Sequence, residues 1–97
     1  MSRLTIDVVD GQGREIALDV TIRRDTVEFF AEGRCWAAFD RELLGSWLSQ
    51  PEGVLAVDDI TWQPAGESVG LTVHSLVPWW PLTAQMLNIL RFRMANA

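Results

Sequence analysis

The sequence predicts an α+β fold, an antiparallel sheet carrying two helices, and three features lead to it. The first forty residues alternate apolar and polar side chains with period two, two later segments repeat apolar residues at helical spacing, and Gly, Asp and Pro punctuate the intervals. Ninety-seven residues supply material for one core and not for two, so residues 1–97 are expected to form a single globular domain. With 48% hydrophobic and 22% charged residues, the composition is that of a folding chain.

Leu4, Ile6 and Val8 point one way and Thr5 and Asp7 the other, which is the pattern of a strand with one buried face. After Asp10-Gly11-Gln12-Gly13, a glycine-bearing turn, Ile16, Leu18, Val20 and Ile22 alternate against Ala17, Asp19, Thr21 and Arg23. Arg24-Asp25 interrupts, and Val27, Phe29 and Ala31 resume the alternation. Glu32-Gly33-Arg34 then turns into a further strand from Cys35 to Phe39, completing a four-stranded antiparallel meander.

Asp40 opens the first helix, predicted over residues 40–49. It is a good N-cap, and Phe39 and Leu44 flank it as a hydrophobic staple. Leu43, Leu44, Trp47 and Leu48 form its apolar stripe, and Pro51 ends it. Two to three strands follow. In residues 54–62, Leu55 and Val57 share one parity while Ile60 and Trp62 take the other, so a bulge or bend is expected at Asp58-Asp59. Gln63-Pro64-Ala65-Gly66-Glu67 reads as a turn, and Val69, Leu71 and Val73 alternate with Gly70, Thr72 and His74 in the last strand.

Val77-Pro78-Trp79-Trp80-Pro81 is a stiff corner, because each proline pushes the residue before it into extended geometry. Pro81 suits a first helical turn, and a second helix is predicted over residues 81–94. Leu82, Met86, Leu87, Ile89, Leu90, Phe92 and Met94 make it apolar over more than one stripe, so it requires burial on more than one side.

The net charge of −5 and the scattering of eight arginines along the chain exclude nucleic acid as a partner, since phosphate binding needs a concentrated basic face. A lone Cys35 forms no disulfide within the chain. No stretch resembles a signal-peptide core or is long enough to span a bilayer, so a cytoplasmic location without membrane contact is expected.

No constellation for chemistry is present in the pattern. His74 is the sole histidine, and no serine carries an elbow motif beside it. Cys35 and His74 lack metal-ligand spacing, Asp58-Asp59 lacks a calcium loop around it, and Gly11-Gln12-Gly13 falls between strands where a phosphate cradle needs a strand and a helix. No catalytic residue, metal or cofactor is therefore expected, and the chain does not read as an enzyme.

Aromatic surface remains. Trp79 and Trp80 are neighbours in an extended segment and project in opposing directions, so one of them is expected to stay partly uncovered. Together with the broad apolarity of the second helix, they predict an interaction surface of Trp79, Trp80, Leu82, Met86, Ile89 and Phe92. Its partner is a second copy of the chain in a homodimer, or another protein, for which the acidic charge favours a basic one. The alternative is a small-ligand-binding domain or minor enzyme with a pocket lined by Trp36 and Trp62, to which Arg34, Cys35 and His74 supply polar contacts.

Overall fold

Period-two patterning closes the first forty residues into a meander of β1 (Ser2–Val9), β2 (Glu15–Ile22), β3 (Thr26–Ala31) and β4 (Arg34–Asp40), in the computed structural model that describes residues 1–96. Ile6 stands opposite Leu18, Val20 opposite Phe29, and Val27 opposite Phe39, so each apolar parity lands on the same side. The register shifts between Phe29 and Phe30, which pair with Ala37 and Cys35, and Trp36 becomes the extra residue of a bulge. Its indole Nε1 donates to the Ala31 carbonyl at 2.9 Å.

Asp10 builds the first turn. Its Oδ1 accepts the backbone N–H groups of Gln12 and Arg14, and its Oδ2 accepts Arg14 Nε, each at 2.9 Å. The Arg14 backbone N–H is the main reason the carboxyl titrates below its ordinary value; desolvation opposes it, and the Gln12 N–H and the Arg14 guanidinium add to it.

The first helix, α1 (Arg41–Ser49), begins where expected. Asp40 caps it by accepting the Leu43 N–H at 2.9 Å, and Leu44 and Leu48 are buried on its inner face. Phe39 and Leu44 lie in the same core cluster, as a staple requires.

Four strands follow, one more than the two or three predicted: β5 (Leu55–Val57), β6 (Ile60–Ala65), β7 (Ser68–Val73) and β8 (Val77–Pro81), again an antiparallel meander in chain order. The parity change at Asp58-Asp59 is a full reversal and not a bulge, with Val57 opposite Ile60 and Leu55 opposite Trp62. Asp58 takes the left-handed φ of 51°, which aspartate tolerates better than most residues. Pro64 and Ala65 belong to β6 and not to a turn; β5 pairs only with Ile60–Trp62, so Pro64 has one strand neighbour and its missing N–H is not needed.

The tryptophan corner is itself the strand β8. Leu71 faces Trp80 and Gly70 faces Pro81, and both prolines sit on the sheet's outermost strand, where no further strand requires their N–H. The second helix, α2 (Ala84–Asn96), consequently starts three residues later than the predicted Pro81, at a cap formed by Thr83 Oγ1, which accepts the Met86 N–H at 3.1 Å.

The inward faces of both sheets share one core. The Phe29 and Trp62 rings, one from each sheet, are 5.9 Å apart, with Phe39 and Trp47 packed edge-on or tilted against them. The sheets approach along both margins, β1 beside β8 and β4 beside β5, and backbone bonds cross the seams from Gly11 N–H to Leu76 O and from Asp59 N–H to Trp36 O. Helix α1 lies against β3 and β4, α2 against β1 and β7, and the helices touch where a side chain at Gly45 would come within 3.7 Å of Met94 Cε.

Candidate interaction surface

Leu87, Leu90 and Met94 recur at i, i+3 and i+7 and carry α2's buried stripe. Arg91 fixes the helix to its neighbour: its guanidinium donates to the Leu48 carbonyl near the C-terminus of α1, where the exposed carbonyls favour a cation. On the outward side, Gln85, Asn88, Ile89, Phe92 and Arg93 line a shallow groove. Ile89 is 37% exposed and Phe92 64%, so the apolar breadth read from the sequence exceeds what the subunit itself covers. Arg93 is tethered through Nη1 to Ser2 Oγ and the Arg3 carbonyl.

The other predicted surface residues fall elsewhere. Leu82 is 4% exposed and belongs to the core, because its N–H bonds to Val69 O at 2.8 Å and holds the end of β8 against β7. Met86 and Trp80 are half-buried against that core. Trp79 is 41% exposed on the outer side of the second sheet, its ring seated over Gly70, where any Cβ would collide with it. Trp79 does not line the α2 groove. Alternation along β8 thus sends one indole in and one out, and the single predicted surface divides into a helical groove and an isolated ring.

Of the residues predicted to line a tryptophan pocket, Arg34, Trp36 and His74 each bond to Asp59, whereas Trp62 lies deeper. Trp62 is fully buried in the core, its Nε1 without a hydrogen-bond partner among the described residues, and Trp36 is packed in the β4 bulge. Arg34 stacks over Trp36 at 4.1 Å from the ring and pairs with Asp59 at 3.0 Å, a clasp across the seam between β4 and the β5–β6 turn. Both partners are substantially solvated, so the ion pair contributes at most about 1 kcal/mol. Cys35 is exposed, and its thiol donates to Ala37 O at 3.6 Å. His74 lies in the β7–β8 turn, outside the strand predicted for it, with its N–H bonded to Asp59 O.

A cleft of about 630 Å³ lies where α1 meets the end of α2, with Arg24, Asp25, Glu42 and Ser46 among its walls, and Arg41 Nη2 donates to the Met94 carbonyl there. Several other polar groups around it serve the fold: Asp40 caps α1, Arg91 holds Leu48 O, and Ser49 Oγ donates to Gly45 O. Among the described residues, no group of three or more His, Cys, Asp or Glu side chains is placed to hold a metal ion, and no helix is long and apolar enough to cross a membrane.

Gln85, Asn88 and Arg93 escaped the sequence reading, although their spacing around Ile89 and Phe92 traces one helical face. Charge distribution was a second missed signal: all thirteen acidic residues lie at or before Glu67, whereas α2 carries Arg91 and Arg93 and no carboxylate. No protein-family model, curated protein or solved structure matches this chain.

Proposed function

We propose that the protein is a non-catalytic interaction domain that docks, on a second copy of itself or on another protein, through the outward face of α2. The observation that carries this reading is the exposure of Ile89 and Phe92 on a helix whose core-facing stripe is already complete. Covering a fully exposed phenylalanine contributes about 1.5–3 kcal/mol, so burying the uncovered part of this pair strengthens an association by about tenfold. Trp79 offers a further apolar contact on the sheet. The acidic charge that would draw a basic protein lies outside α2, so a basic partner fits the body of the domain better than its groove. A cytoplasmic location is part of the same proposal and rests on the single cysteine.

The test is an Ile89→Ser, Phe92→Ser double variant. Its circular dichroism and melting are expected to match the wild type, while self-association and partner retention fall at least about tenfold, corresponding to the loss of roughly 1.4 kcal/mol of contact. A folded double variant that associates as tightly as the wild type overturns the proposal. The small-ligand alternative is less favoured because Trp62 is fully buried in the core, and the polar cleft beside α1 offers it a second place.

A further inference from the structure

We infer that the occupant of the α2 groove is the α2 helix of a second copy of this chain, packed antiparallel about a two-fold axis at Ile89; this rests on the docking role of that face. Charge selects the surface. Two copies of a chain with net charge −5 repel as they approach within roughly 10 Å, the screening length at 0.1 M salt. Every Asp and Glu side chain lies in residues 1–67, so an encounter through α2 brings together the one helix that carries neither.

The face is also complementary to itself. With the axis at Ile89, antiparallel helices place each residue level with its mirror position, so Gln85 meets Arg93 of the second copy and Ile89 meets Ile89. Phe92 then falls between Gln85 and Ile89 across the axis, an apolar centre with a polar pair at each end. The Gln85 amide oxygen accepts from a guanidinium whose Nη1 is already held by Ser2 and Arg3, so the donor is partly ordered before contact. A parallel pairing would instead set Arg93 against Arg93. The antiparallel arrangement also lets the two helix dipoles oppose. A contact of two helical turns is small beside the roughly 800 Å² per partner of a standard interface, so a concentration-dependent dimer is expected.

The experiment combines molar mass across a concentration series with cysteine crosslinking in a Cys35→Ser background. Ile89→Cys is expected to crosslink to itself, and a mixture of Gln85→Cys and Arg93→Cys chains to crosslink to each other. Gln85→Cys alone should not crosslink, because eight residues separate it from the level of its mate, about 12 Å along the axis, beyond disulfide reach. Crosslinking of Gln85→Cys alone indicates parallel pairing and overturns the inference. A dimer abolished by Ile89→Ser, Phe92→Ser that lacks the expected crosslinks overturns this geometry and leaves the docking face standing. A chain that stays monomeric, yet binds an acidic amphipathic peptide through Phe92, overturns the second copy as occupant and also leaves the docking face standing. A dimer that survives the double serine variant overturns both.

Discussion

Helices α1 and α2 occupy equivalent places in the chain, each following a four-stranded meander, each capped by a side chain that accepts the N–H three residues on, and each laying leucines on the common core. They differ in what remains after that core is satisfied. The large aromatic residue of α1, Trp47, turns back onto Trp62 at 6.4 Å and is half-buried, and Leu43 alone is left outside. The aromatic residue of α2, Phe92, stands beside Ile89 with no ring contact among the described residues. Helical position and core packing are therefore matched, and the difference lies in apolar surface that the subunit's own fold leaves uncovered. Such a surplus on an otherwise satisfied helix is informative about partners, because packing alone does not require it.

The sharpest way to break this comparison is to empty the core under each helix. Leu44 and Leu90 are both fully buried, so Leu44→Ala and Leu90→Ala should each destabilise by about 2–5 kcal/mol in urea unfolding. Similar losses mean that α2 is docked as firmly as α1 and that the exposure of Phe92 is a property of a well-packed helix. A Leu90→Ala cost below about 1 kcal/mol, against the full cost at Leu44, would mean that α2 is held loosely and that its exposed face carries no message.

The caps give a smaller effect and a graded one. Asp40→Ala should cost about 1 kcal/mol, and Thr83→Ala less, since threonine is the weaker N-cap and lacks the charge that favours a helix N-terminus. Thermal unfolding of the two variants measures the ranking. A larger loss at Thr83 would show that the start of α2 depends on its cap more than on its leucines.

The same two caps show how far the sequence could be read. Asp40 was legible because it directly follows a strand, precedes an apolar stripe and stands between Phe39 and Leu44. Thr83 was not, because Pro81 two residues earlier is also a good helix opener; only pairing of Trp80 with Leu71 commits the prolines to an edge strand, and that pairing is long-range. The parity break at Asp58-Asp59 was visible, but local pattern does not separate a bulge from a two-residue reversal. For the candidate site, the alternation that opposes Trp79 to Trp80 was readable. The burial of Leu82 was not, since it depends on a hydrogen bond to β7. Which side of a broadly apolar helix meets the core is likewise a tertiary fact, so Ile89 and Phe92 could be named without being separated from Leu82.

The smallest effect concerns the contact between the helices. Gly45 lies inside α1, where glycine is less favourable than alanine by about 0.8–1 kcal/mol, and a Cβ there would meet Met94 Cε at an ordinary 3.7 Å. Gly45→Ala should therefore stabilise the protein by about 0.5–1 kcal/mol, read as a higher urea midpoint at unchanged slope. The added methyl would tighten α2 onto α1 from the inner side and leave Ile89 and Phe92 untouched, so association should not change. If Gly45→Ala destabilises, the helices approach more closely than a methyl allows. If it stabilises the fold and weakens association, the outward face of α2 depends on how α2 rests against α1, and the two helices cannot be treated as independent.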